Sequence, residues 1–149
     1  MPGVTVAVAM AVVIGAVTGC ASTQLSADDS AYGAQSADQA VSAFLNAAAG
    51  RRYTEMARLF GTSGGPAEKE YGIDEVEQRM IIVSRFLQHS SFTLREPELR
   101  VGGTDRHWFV AMMIGTRKGN VDVPIVAARA ENDRWFVEQI DLAPLTRDQ

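Results

Sequence analysis

The sequence predicts an α+β domain in which N-terminal helices pack on one face of a curved antiparallel sheet of about four strands. Three observations predict it. Apolar residues recur every three or four positions over residues 36–50 and again from Asp74 towards Ser90, the spacing of a buried helix face. From Ser91 the period changes to two, the pattern of strands with one face buried. The strand-like runs are then joined by short polar turns, Lys118-Gly119-Asn120 and Asn132-Asp133, which suit antiparallel neighbours.

Taken in order, Ser36-Ala-Asp-Gln39 has the form of a capping box. The helix behind it places Val41, Phe44, Leu45 and Ala48 on one face, with Gly50 as the stop. After the link Arg51-Arg52-Tyr53, Thr54 is expected to cap a short helix with Met56, Ala57, Leu59 and Phe60 inward. Gly61 to Pro66 is a loop; a phosphate-binding loop would need a lysine where Pro66 stands, and a strand rather than a helix before it. Asp74-Glu-Val-Glu77 forms a second capping box. Val76, Met80, Val83 and Leu87 continue it, and Ile81, Ile82 and Phe86 widen the stripe, so this helix should be well buried and end near His89 or Ser90.

The first strand uses Phe92 and Leu94, with Leu99 and Val101 beyond an interruption at Pro97 that suits a sheet edge or bulge. Arg106 to Arg117 is the second. Trp108, Val110, Met112 and Ile114 take one face of it, and Phe109, Ala111 and Met113 the other. Val121, Val123, Ile125 and Ala127 form the third. Trp135 to Leu142 is the fourth, stopped by Pro144.

The chain has 149 residues, with 14 Lys and Arg against 18 Asp and Glu, for a net charge of −4. That balance, with no run of basic residues, argues against a nucleic-acid partner. One cysteine excludes an internal disulfide, and two dispersed histidines leave no zinc ligand set; neither a metal nor a cofactor is expected.

From Val4 to Val17 the chain is uncharged and apolar. The run is too short for a membrane-spanning helix, which needs about 20 residues, and matches the core of a secretory signal. It closes on Val17-Thr18-Gly19-Cys20, which resembles the lipobox of bacterial lipoproteins. The resemblance implies diacylglycerol (commonly with palmitate) on the Cys20 thiol, cleavage after Gly19, and acylation of the new amine. It departs from the pattern in having no Lys or Arg before the apolar run. Residues 1–19 are then the signal peptide, 20–35 a lipidated cysteine and flexible tether rich in Ser, Ala, Asp and Gln, and 36–149 one α+β domain. The bilayer becomes a partner through acylated Cys20. Ala21, rather than an aspartate, favours the periplasmic side of an outer membrane; otherwise the outer face of the cytoplasmic membrane is implied.

The stretch QAVSAFLNAAAGRRYTEMARLFG resembles the opening of the nuclear transport factor 2-like superfamily, and WFVEQIDL its closing strand. The resemblance covers roughly Ser36 to Leu145. It implies a cone-like (cystatin-like) sheet curling round the long helix, with a pocket at the open end and face-to-face sheet dimers. Its members include ketosteroid isomerase-like and dehydratase-like enzymes and non-catalytic modules, and the fold does not choose among them.

The residues favour a non-catalytic binding or interaction module of the cell envelope, with a homodimer or an envelope protein as partner. The alternative is an isomerase-like or dehydratase-like enzyme using the cone pocket. Acid–base chemistry would need a carboxylate shielded from water, with a tyrosine or protonated acid facing it. Glu138, on the expected face of Phe136 and Ile140, is the acid on an apolar face, either as a pocket acid or as the partner of an arginine. Asp105 and Asp122 fall at turns. Asp105 with His107 would make a dyad, but no nucleophilic Ser or Cys accompanies them. The pocket candidates are Tyr53, Trp108, Met112, Trp135 and Glu138; no catalytic residue is assigned.

Overall fold

A computed structural model describes residues 31–100 and 103–147. The apolar run and the Val17-Thr18-Gly19-Cys20 motif lie outside these residues, as does Val101 of the expected first strand. The described elements are α1 (Ala37–Ala49), α2 (Tyr53–Leu59), β1 (Gly61–Thr62), β2 (Gly65–Pro66), α3 (Glu68–Tyr71), α4 (Ile73–Phe86), β3 (Ser91–Leu94), β4 (Arg106–Thr116), β5 (Gly119–Arg129), β6 (Trp135–Ile140) and α5 (Ala143–Thr146). Strands β3 to β6 form one antiparallel sheet in sequence order, and β1 and β2 a separate short hairpin. The fold is α+β, as the change of period predicts.

Helix α1 is the centre of the molecule. Its first turn is capped by the Ser36 hydroxyl, which accepts from the Gln39 amide at 3.4 Å. Ala40, Val41, Phe44, Leu45, Ala47 and Ala48 are completely buried. The alanines let it lie close on β5 and β6, while its other flank meets α2 and α4. Burying a Phe, Leu or Val side chain contributes about 1.5–3 kcal/mol each, so this one helix organises much of the core.

Its C-terminus differs in detail from the sequence expectation. Gly50 stays right-handed at φ −81°, and the left-handed position falls on Arg51, at φ 55°. The Arg51 amide donates to the Ala48 carbonyl and the Arg52 amide to the Ala47 carbonyl, which together make a Schellman closure. Glycine is the usual residue there, because any Cβ crowds the backbone at positive φ.

The two other expected caps are not made. Thr54 lies inside α2, whose N-cap residue Arg52 makes no side-chain capping hydrogen bond, and Asp74 lies inside α4, which starts directly after Gly72 at φ 80°. The glycine supplies the sharp turn from α3, a short helix the periodicity did not indicate. Asp74 and Glu75 instead place negative charge in the first turn, against the helix dipole. Helix α4 ends at Phe86, earlier than expected, and the Gln88 amide ties its end to the carbonyls of Ala48 and Ser84. It is also less buried than its stripe suggests. Val76, Met80 and Ser84 face inward, but Ile82 is 57% and Phe86 39% exposed. The reason is its place: α4 packs mainly on α2, α3 and α1, whose surface covers only one side of it.

The sheet follows the sequence closely. Phe109, Ala111 and Met113 of β4 and Val123, Ile125 and Ala127 of β5 are buried on the helix-facing side. Trp108, Val110, Met112 and Ile114 alternate onto the outer side, where Met112 and Ile114 are 38% and 43% exposed. Pro97 sits just beyond the edge strand β3, and Glu98 resumes pairing with Trp108. The β4–β5 turn closes with Thr116 opposite Gly119. Between β5 and β6 the register slips: Ala127 faces Val137, but Val126 faces Gln139, so Glu138 is an extra, bulged residue.

Residues 32–34, the end of the stretch expected to be a flexible tether, are held by the domain. The Gly33 amide donates to the Arg58 carbonyl, Ala34 and Trp135 exchange two backbone bonds, and Arg134 donates to the carbonyls of Tyr32 and Gly33. Gly33, at φ 65°, leaves no room for a Cβ, which would stand 2.9 Å from the Phe136 ring.

Replacing Arg51 with glycine should relieve its left-handed backbone. The Arg51→Gly variant is expected to be about 1 kcal/mol more stable, raising Tm by roughly 4–8 °C. Thermal unfolding by circular dichroism reads this directly, and a lower Tm would contradict it.

Candidate functional site

At the N-terminal end of α1 the sheet stands away from the helix and leaves a cleft of about 460 Å³. Its walls come from both elements. Strand β4 contributes His107 and Phe109, β6 contributes Trp135, and the start of α1 contributes Ala37 and Asp38. Leu94 and Pro97 close one side, and Arg95 and Glu96 flank the mouth. The positions follow from strand alternation. His107 lies opposite Ala127 on the helix-facing side, one step before Phe109.

The aromatic groups form a continuous surface. The His107 ring centroid is 4.6 Å from Trp135 and 6.3 Å from Phe109, both tilted contacts. Such a surface suits a flat apolar group or a cation over the rings. The mouth is acidic. Arg95 is held by Asp122 at 2.8 Å, while Asp38 and Glu96 are exposed and have no ion-pair partner among the described residues. The cleft therefore pairs an aromatic floor with unneutralised negative charge.

The five pocket candidates do not line one cavity. Trp135 lies in this cleft. Tyr53 lies in another, at the opposite end of α1, with Arg51, Arg52 and Arg58. Trp108 and Met112 are on the outer side of the sheet, where the Arg100 guanidinium stacks 4.6 Å from the Trp108 ring. Glu138 is also outside the cleft. The bulge separates it from Ile140, which pairs with Ile125 and packs against the core, so the expected shared face of Glu138 and Ile140 does not exist. Glu138 receives Arg106 through two hydrogen bonds, at 2.7 and 2.9 Å. These bonds and the carboxylate charge push the Arg106 guanidinium above its ordinary pKa, so it stays charged. Asp105 is likewise taken by Arg129, at 2.7 Å, and makes no dyad with His107.

His107, Phe109, Asp38 and Glu96 were not among the pocket candidates. His107 carried a signal, since it lies in phase with Phe109. Asp38 and Glu96 carried none, because nothing local says that a helix start and a strand end will meet. Among the described residues, no group of three or more His, Cys, Asp or Glu side chains is placed to hold a metal, and no helix is long and apolar enough to cross a membrane. No protein-family model matches this chain, and no curated protein matches it.

The two tryptophans should differ in structural weight. Trp135 is buried on the helix side, and Trp135→Ala is expected to cost about 3–5 kcal/mol. Trp108 is half-buried on the outer side, and Trp108→Ala should cost about 1–2 kcal/mol. Denaturant melts of the two variants check this ordering.

Proposed function

We propose that this chain is a lipid-anchored protein of the cell envelope whose domain binds, without transforming, a small organic cation with an aromatic or apolar body. One observation carries the binding part. The His107–Phe109–Trp135 surface stands behind a mouth bearing the carboxylates of Asp38 and Glu96, which have no ion-pair partner among the described residues. A ring would lie on the aromatic surface, and a positive group would meet the carboxylates.

The anchor rests on Val17-Thr18-Gly19-Cys20, with acylated Cys20 on the periplasmic side of an outer membrane, or otherwise on the outer face of the cytoplasmic membrane, as the lipobox resemblance implies. The cone-like fold of the nuclear transport factor 2-like superfamily is consistent with helices on one face of the sheet. The partly exposed outer sheet face, with Met112 and Ile114, is where a homodimer or an envelope protein would dock.

Binding is favoured over turnover for a physical reason. An isomerase-like or dehydratase-like step needs an acid kept from water and an inward tyrosine or protonated acid. Here the cleft carboxylates are exposed, no tyrosine lines the cleft, and Glu138 and Asp105 are held by arginines.

Two measurements test the proposal. Thioflavin T, a cationic aromatic dye, should bind more tightly than anionic 8-anilinonaphthalene-1-sulfonate, and an Asp38→Asn, Glu96→Gln double variant should weaken it about tenfold. Equal affinities, or an unaffected double variant, would remove the cation site. For the anchor, the intact mass of protein extracted from its membrane should match a chain beginning at Cys20 plus two or three acyl chains. A lipid-free Cys20 would end that part of the reading.

A further inference from the structure

We propose that the arginine cleft at the C-terminal end of α1 binds the phosphate of an anionic phospholipid headgroup and seats the domain on its own bilayer. The proposal rests on the lipid-anchor reading. The cleft, of about 680 Å³, lies between the α1–α2 link, α2 and the N-terminal half of α4. Ala43, Tyr53 and Leu59 form its less polar part, and Arg51, Arg52 and Arg58 surround it.

The charges are unevenly spent. Arg52 is bound to Glu55 at 2.5 Å. Arg51 and Arg58 form no ion pair among the described residues, although Glu77 also borders the cleft. Two available guanidiniums thus converge on one opening in a chain of net charge −4. Guanidinium forks match phosphate oxygens in pairs of hydrogen bonds, and the Tyr53 hydroxyl can add a third donor.

Arg51 adds an independent observation. It holds φ 55°, where glycine would be cheaper, and no side-chain hydrogen bond or ion pair within the described fold repays the strain. A strained position whose side chain lines a cleft points to work done by that side chain outside the fold.

The position of the chain selects the source of the phosphate. Ala31 lines this same cleft. Cys20 lies eleven residues before it, a span of at most about 40 Å extended and about 20 Å as a coil. A lipid on Cys20 therefore holds the cleft beside headgroups at high effective concentration. Acyl chains alone fix distance but not orientation; the cleft fixes orientation. The aromatic cleft, at the other end of α1 and about 20 Å away, is then turned from the bilayer towards its ligand.

The test uses the full acylated protein in vesicles of phosphatidylcholine, with or without phosphatidylglycerol as the minor lipid. Modification of arginines by phenylglyoxal is followed by mass spectrometry. Phosphatidylglycerol should slow modification of Arg51 and Arg58 at least about fivefold, leave Arg117 in the β4–β5 turn unchanged, and lose this effect at high salt. Arg51→Gly should lose the protection at Arg58 while keeping or raising Tm. Equal rates in the two vesicles, equal protection by inorganic phosphate without the anionic lipid, or protection that survives Arg51→Gly would each overturn the proposal. The intact mass of the same sample separately reports whether Cys20 carries lipid, so a failed anchor is distinguishable from a failed cleft.

Discussion

Everything in this domain is arranged around the close approach of α1 to strands β5 and β6. The approach is possible because the helix presents alanines among its larger apolar residues, with Ala40, Ala47 and Ala48 completely buried. Phe44 and Leu45 fill the space that the alanines leave. The remaining helices then have no room on the same part of the sheet and form a second layer against α1. That layering explains why α4 exposes Ile82 and Phe86 although its sequence is apolar on two adjoining faces.

The same helix separates two surfaces of different chemistry. Its N-terminal end borders the aromatic cleft with Asp38 and Glu96, and its C-terminal end borders the cleft with Arg51 and Arg58. A net charge averages over both and hides each. The composition argues against an extended basic surface; a pair of arginines on one cleft is a feature on a smaller scale. The segment from Tyr32 to Ala34 is pinned between α2 and β6 by Arg58, Arg134 and Trp135. In the proposed arrangement that pinning converts a lipid attachment at Cys20 into a defined orientation of the domain.

The bulge at Glu138 shows how one residue redistributes chemistry. Strict alternation would set Glu138 beside Phe136 and Ile140. The inserted residue returns Ile140 to the core and leaves Glu138 opposite Arg106, two strands away across β5. A carboxylate that alternation would place on an apolar face is thereby neutralised by a bidentate partner. The residue that occupies the cleft is instead His107, packed against Trp135.

The sequence by itself determined what depends on near neighbours along the chain. The change from helical to alternating period, the faces of β4, the hairpin turns and the Ser36 cap are local patterns, and the fold has them. The cap expected at Thr54 and the capping box at Asp74 failed where a competing local solution, a Schellman link or Gly72, set the backbone first. The lipobox resemblance is likewise local to four residues. What only the tertiary structure decided is which distant residues meet. Asp38 joins His107 and Glu96 because a helix start lies over a strand end, and Arg51 joins Arg58 because a left-handed residue folds α2 back on α1. The register slip at Glu138 belongs to the pairing of two strands and not to either strand alone. Periodicity records which side of an element is apolar; it carries no information on what will cover that side, because that is set by packing between segments far apart in sequence.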